Sequence, residues 1–283
     1  MDTLTHFLQQ LAVMGVWIRG QFDAILAGIV SSTIVITFGQ MYGWGRPLLG
    51  RVQSRRIWRL KGARHIRIVS ATFQDADRAV ISSAPTTWPD ANAASRLIDM
   101  TRSLYPRAEI AHDFKAAEEE FLNTLVSVGG PVYNRATDRL MQSINRKCYF
   151  ELAGETNSGE KYYRFVTSQG MSFTPVLTDK NVVTTDYGII IRMINPLAGD
   201  GRVVLLVLGC ETFGVLASAL VLAGDSVAGK ARRQLLKALP LTRSTEYLAV
   251  FRCEPLGTTV GAIHMEHFEE LNAQPIQASQ RPI

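Results

Sequence analysis

Arg202-Val203-Val204-Leu205-Leu206-Val207-Leu208, running into Gly209-Cys210-Glu211-Thr212-Phe213-Gly214, decides how the rest of the chain is read. Six consecutive valines and leucines leave no polar face, as in a central parallel strand covered by helices on both sides. Small and flexible residues then break the strand, and an apolar run over residues 213–222 predicts a helix. Strand, glycine-containing turn and helix form the unit of an open α/β sheet, whose ligands lie beyond the carboxyl ends of its strands.

The same alternation extends in both directions from this stretch. Residues 66–73 alternate as a first strand, and residues 91–105 repeat apolar positions at helical spacing, stopping before Pro106. A short strand is expected over 109–114. Phe121 to Val128 ends in an apolar run closed by Gly129-Gly130-Pro131, and a helix is expected from Val132 to Arg146. Shorter β pieces follow at 148–152, 162–166 and 182–194, the last interrupted at Gly188, with a late strand at 247–251. The pattern predicts an α/β fold over residues 65–271, a Rossmann-like, mostly parallel sheet with a β-rich insertion. Residues 272–283, with Pro275, Gln277, Gln280 and Pro282, read as a disordered tail.

Two strand-to-helix junctions could hold a ligand. In the first, Gly129 and Gly130 permit a tight turn and close backbone approach, and Pro131 suits a first helical turn. The helix start would offer its free N–H groups to an anion such as phosphate, with Asn134 one turn in, in reach of a base or ribose. A plain tight turn explains the same residues. In the second, Gly209 ends the buried strand, Glu211 could accept ribose hydroxyls, Thr212 could touch a phosphate, and Phe213 could stack. Equally, Thr212 could be an ordinary N-cap and Phe213 core packing. Arg192, inside the apolar strand 182–194, could face a phosphate or an acidic partner. Asp186-Tyr187-Gly188 and Asn195-Pro196 mark that strand and its exit turn.

At the front, the 22 residues from Ala24 to Gly45 carry no charge, and the next 19, Arg46 to Arg64, carry seven positive charges and no negative one. Some 20 apolar residues match the roughly 30 Å hydrocarbon core of a bilayer. Tyr42 and Trp44 fall at the headgroup level, and Arg46, Arg51, Arg55, Arg56, Arg59, Lys61 and Arg64 form a basic collar. Short basic flanks stay in the cytoplasm. The expectation is a single-pass inner-membrane protein with its N-terminus outside and its C-terminal domain in the cytoplasm. A cleaved signal peptide lacks its n-region and cleavage site here; a buried core helix is the stronger rival, given Ser31, Ser32, Thr33, Thr37 and Gln40. Residues 1–23 repeat apolar positions three or four apart and read as an amphipathic lead-in helix. The expected organisation is thus 1–23 lead-in, 24–45 transmembrane helix, 46–64 basic juxtamembrane linker, 65–271 sensor domain and 272–283 tail. Ala24, Gly28 and Ser32 form a small-residue ladder on which two membrane helices could associate, so a homo-oligomer is expected.

The net charge of +5 belongs to the collar, since residues 65–283 sum to −1. That balance suits an anionic membrane surface and speaks against direct nucleic-acid binding, which needs a basic face on the domain itself. Cys148, Cys210 and Cys253 have neither metal spacing nor an even count, which fits a reducing compartment. His6, His65, His112, His264 and His267 show no triad, and no metal or dedicated cofactor is expected. Gly224 to Lys230 has Walker A spacing, but Ala231 replaces the Mg²⁺-holding hydroxyl and a helix, not a strand, precedes it.

Gly129-Gly130-Pro131 with Asn134, Asp186-Tyr187-Gly188 with Ile190, Arg192, Asn195 and Pro196, and the Gly209 to Gly214 turn together resemble the Rossmann-like SLOG and STALD nucleotide-sensing domains of bacterial antiphage systems. The resemblance spans residues 125–253 and departs from the family at Cys210-Glu211, where a Gly-x-His or similar small turn is common. It implies a receptor for a nucleotide or cyclic-nucleotide signal, coupled to membrane helices that disturb the bilayer. An alternative is an enzyme of the related nucleoside-transferase or NAD-glycohydrolase kind, with Glu211 as nucleophile or ribose-orienting acid and Glu109, Asp113 or Asp186 as the second acid or base. A membrane-tethered scaffold is a third reading.

Overall fold

The computed structural model describes residues 50–60, 63–70, 88–113, 117–144, 147–156, 159, 161–240 and 246–271. The lead-in helix, Ala24–Gly45 and the tail lie outside these residues. No helix among the described residues is long and apolar enough to cross a membrane. The chain divides into two compact units, Met1–Val52 and Gln53–Ile283. Of the first, residues 50–52 are described, and they are helical with Val52 exposed.

The second unit is a mixed α/β fold. In chain order it comprises helix α1 (described from residue 50, ending at 58), β1 (His65–Ser70), α2 (Trp88–Leu104), β2 (Glu109–Asp113), a 3₁₀ turn (Glu118–Leu122), β3 (Thr124–Val128) and α3 (Arg135–Ile144). Then come β4 (Tyr149–Glu155), β5 (Lys161–Val166), β6 (Ser172–Phe173), β7 (Val176–Leu177), β8 (Val183–Ile194), β9 (Val203–Gly209), α4 (Thr212–Ala223), α5 (Gly229–Ala238), β10 (Tyr247–Leu256) and β11 (Thr259–Glu270). The main sheet runs β11-β10-β8-β9-β3-β1-β2, with β7 beside β8. From the β2 edge to the middle, β2-β1-β3-β9, it is parallel. Beyond β9 the sheet turns antiparallel through β8, β10 and β11, so the expected mostly parallel sheet is parallel in one half only. The reason is connection length: β8 meets β9 and β10 meets β11 through short loops, which return the chain antiparallel, whereas parallel neighbours need a crossover. The expected β-rich insertion is the separate antiparallel sheet β4-β5-β6.

Both faces of the main sheet are covered. Along β9, Leu205 and Val207 enter one core with α1, α2, α4 and α5, while Val204, Leu206 and Leu208 enter the other with α3, Phe165 and Phe173. This accounts for the unbroken apolar run at β9. Helix α4 is buried at every residue from Gly214 to Leu222, as a helix apolar all round must be. It lies against β8 and β9 at backbone distance: a Cβ on Gly209 would collide with the backbone of Glu211 and Val215, one on Gly214 with that of Tyr187, and one on Gly188 with Gly214 and Ser218. Gly188 therefore does not interrupt β8. We expect Gly209→Ala to lower stability by about 1–3 kcal/mol through overpacking, while Gly130→Ala, whose Cβ would stand 3.8 Å from the Gly209 carbonyl, shifts the unfolding midpoint little. Denaturant unfolding of the two variants checks this.

Part of the basic collar belongs to the fold. Residues 54 and 57–60 are buried, Ile57 and Trp58 completely, so the α/β domain starts before residue 65 and this part of the linker is not a free tether. Three of its arginines close helix C-termini, where carbonyls lack intrahelical partners and carry the negative end of the dipole. Arg55 donates to the Leu104 carbonyl at the end of α2 (2.9 Å), and Arg56 and Arg59 donate to those of Leu239 and Pro240 after α5. Trp58 Nε1 donates to Leu222 O near the end of α4 (3.2 Å), which Arg232 also serves. Arg192 in turn closes α1, donating to the carbonyls of Trp58 (3.2 Å) and Arg59 (3.0 Å), the latter residue in the left-handed region at φ 45°. Burial lowers the pKa of Arg59, Arg192 and Arg232, and carbonyl oxygens stand in for the lost water.

Candidate functional site

Strands β3 and β9 are parallel neighbours, so the glycine turns that follow them meet beyond the carboxyl ends of the strands, the side on which open α/β sheets hold ligands. A cavity of about 80 Å³ is lined by Gly130, Pro131, Val132 and Tyr133 after β3, by Gly209, Cys210, Glu211, Thr212 and Val215 after β9, by Asp90 from α2, and by Phe150, Lys161 and Tyr163 from the insertion. The volume is well below the roughly 300–1,000 Å³ of sites that engulf a drug-sized ligand. It has room for one small group, and Val132 and Tyr133 of its lining are exposed.

Of the residues expected at the site, Gly130, Pro131, Gly209, Glu211 and Thr212 line the cavity. Gly129 supports it from behind, at φ 103° with its N–H on Val207 O (2.9 Å). Asn134 does not face a ligand: it is buried and its side chain is fully used. Its Oδ1 accepts from the N–H groups of Ala136 (3.0 Å) and Thr137 (3.2 Å), and its Nδ2 donates to the carbonyls of Val69 (3.2 Å) and Val128 (2.9 Å). Asn134 thus caps α3 and ties β1 to β3, and Pro131 belongs to the preceding turn, not to the helix. Phe213 packs towards the helix-side core. Arg192 sits at the other end of the sheet: Gly188 pairs with Gly209 but Arg192 pairs with Leu205, four residues and about 13 Å along the strand.

The amino end of α4 is partly capped from within the fold. Glu211 takes the N-cap position without a capping side chain. The capping is done by Asp186 from β8, fully buried, whose Oδ1 accepts from Tyr187 N–H (2.7 Å) and Glu211 N–H (3.0 Å) and whose Oδ2 accepts from Gly214 N–H. Burial pushes the Asp186 carboxyl up to about 7 against the lowering by these amides, with the charge of Asp90 adding to the rise. Cys210 donates its thiol to Phe173 O (3.4 Å), and burial and Asp186 raise its pKa well above that of a reactive thiol. Glu109 and Asp113, the other acids considered, pair with His65 (2.9 Å) and Arg67 (2.7 Å) away from the cavity.

Asp90, Tyr133, Phe150, Lys161 and Tyr163 were not singled out from the sequence. Lys161 and Tyr163 did carry a signal, being two apart on a strand whose next inward residue, Phe165, is core, so all three share a face. Asp90 had none beyond its place after Pro89 in a first helical turn. Among the described residues no group of three His, Cys, Asp or Glu side chains could hold a metal ion. His264 and His267 lie on strand β11. The Walker-like segment is a turn: Gly224 closes α4 at φ 76° and α5 starts at Gly229. No protein-family model, no curated protein and no solved structure matches the chain.

Proposed function

We propose that the protein is a membrane-anchored receptor for a nucleotide-derived signal, bound at the cavity between the two glycine turns, in the manner of the antiphage sensor-effectors that its motifs resemble. The observation that carries this reading is helix α4. It starts in the cavity at Thr212 and ends about 18 Å away, where Trp58 and Arg232 hold its Leu222 carbonyl. Buried from Gly214 to Leu222 and seated on backbone, α4 has little freedom except to move as one body. A ligand that displaces Glu211 and Thr212 would thereby act on α1 and on the chain that continues from it towards Ala24–Gly45. The bias available is the ligand's differential affinity for the two positions of α4.

A second reading has its own observation: Asp90 and Glu211 line the same cavity, and a pair of carboxylates is what glycosidic-bond chemistry requires. One experiment separates the two. The full-length protein in detergent micelles is titrated with NAD and with linear and cyclic nucleotides, following heat of binding and product formation. Saturable binding without turnover is expected; turnover abolished by Glu211→Gln would overturn the receptor reading in favour of the enzyme.

A further inference from the structure

The joint between β8 and α4 turns on one carboxylate. Asp186 is fully buried on β8, and its two oxygens carry unequal loads. Oδ1 accepts from the amides of Tyr187 (2.7 Å) and Glu211 (3.0 Å), whereas Oδ2 accepts from the amide of Gly214. Glu211 and Gly214 lie on either side of Thr212 and Phe213, so the side chain holds the first turn of α4 to the strand at two points. The attachment is close-packed, since a Cβ on Gly214 would collide with the Tyr187 carbonyl group. An ionised carboxylate accepts at both oxygens at once, but a neutral carboxyl gives part of that capacity to its own O–H. The proton costs least on Oδ2, which serves one amide, and there it meets the Gly214 N–H as donor against donor. Around Asp186 stand Asp90 of α2, Tyr187 beside it, Cys210 and Glu211 of the β9–α4 turn, and Cys253, its register partner on β10. None of these can supply a positive charge. Burial opposes the ionised state, the three amides favour it and the charge of Asp90 opposes it. The balance pushes the carboxyl up to about 7, so both states are populated near neutral pH.

We propose that Asp186 is a proton-operated latch on α4. Ionised, it clamps the first turn to β8 through Glu211 and Gly214; protonated on Oδ2, it keeps Glu211 and releases Gly214. Glu211, Thr212 and Val215 line the cavity, so the latch sets how firmly one wall of the cavity is held. Linkage is reciprocal: whatever draws this turn away from β8 favours uptake of a proton from solvent by Asp186. The latch belongs to the protein without ligand and stands apart from the nucleotide reading. It has a signature that a merely structural carboxylate lacks. The grip on Gly214 strengthens as pH rises through 7, while the global stability from this group falls, because the folded chain holds a proton that the unfolded chain has released.

Amide hydrogen exchange of the full-length protein in micelles, without ligand, tests this at pH 6, 7 and 8. Mass spectrometry follows peptides spanning residues 209–215, with each rate divided by the intrinsic exchange rate at that pH. Protection of this stretch is expected to rise at least about fivefold from pH 6 to pH 8, the effect of regaining one buried amide bond. Asp186→Asn places an amide N–H where the protonated carboxyl places its O–H, so its protection should stay at the low level throughout. Asp90→Asn removes the neighbouring negative charge and should move the rise to lower pH. The wild-type series and Asp90→Asn leave Asp186 in place, so they decide the matter even where Asp186→Asn does not fold. Protection that is flat with pH in the wild type, or a rise that survives in Asp186→Asn, would overturn the latch. So would protection that falls with pH in step with global stability, because the proton would then act on the fold as a whole. Each of these outcomes leaves the nucleotide reading where it was, and failure of every nucleotide to bind leaves the latch intact.

Discussion

Trp58→Ala is expected to lower the unfolding free energy by about 3–5 kcal/mol, the usual cost of deleting a buried aromatic side chain. Trp58 has no exposed surface, contributes to the helix-side core, and donates to Leu222 O. Trp58→Phe keeps most of the volume and leaves that carbonyl to Arg232, so it should cost far less. The larger consequence is for truncation. A protein beginning at residue 65, where sequence patterning alone would start the domain, loses Ile57, Trp58 and Leu60 from the core. It also loses the guanidinium groups that close α2 and α5. Such a chain is expected to show no cooperative unfolding transition in guanidinium chloride by near-ultraviolet circular dichroism, whereas one beginning at residue 50 shows one. Equal transitions in the two would refute the role given to α1.

The collar illustrates which features could be read in advance. A run of like charges is local and visible, so Arg55, Arg56 and Arg59 were assigned to lipid headgroups. The carbonyls they serve, at Leu104, Leu239 and Pro240, lie 49, 183 and 181 residues away in sequence and are brought together only by the fold. Elements with strong periodicity were legible: β1, α2, β2, β3, β8, β9 and α4 fall within a few residues of the expected spans. Helix α5 was not, because only Ala231, Arg232 and Leu235 are buried on it, too narrow a stripe to stand out. Strand β11 was missed for a similar reason. As an edge strand it buries little on its outer side and carries His264, Glu266, His267, Glu269 and Glu270 among its apolar residues. At the site, the glycine turns were readable as turns and their convergence followed from the strand order. What fills the helix starts was half readable. Asn134 stands three residues before Thr137, a spacing at which an Asn caps its own helix. Asp186 is 25 residues from the Glu211 amide that it accepts, and no local pattern reveals that.

Asp186→Ala is the second large effect, and its pH dependence identifies the cause. Removing the carboxylate strands the amides of Tyr187, Glu211 and Gly214 at a buried helix start. Water admitted from the adjoining cavity would satisfy part of them, so a loss of about 2–4 kcal/mol is expected at pH 5, given roughly 1–3 kcal/mol for each orphaned buried donor. The folded-state pKa of Asp186 is raised to about 7, above the value of about 3.9 for an unfolded aspartate. Between those values the folded protein holds a proton that the unfolded chain has released. Stability from this group is therefore fully present below about pH 4 and is lost as pH rises through 7, the reverse of an ordinary salt-bridged carboxylate. Wild-type stability should accordingly fall from pH 5 to pH 8, and the Asp186→Ala protein should lack that component, so the gap between the two narrows as pH rises. Urea unfolding of both proteins at pH 5, 6, 7 and 8 measures it. A gap that instead widens with pH would mean that the three amides outweigh burial and hold Asp186 ionised in the folded state. The start of α4 would then carry a fixed negative charge throughout the physiological range.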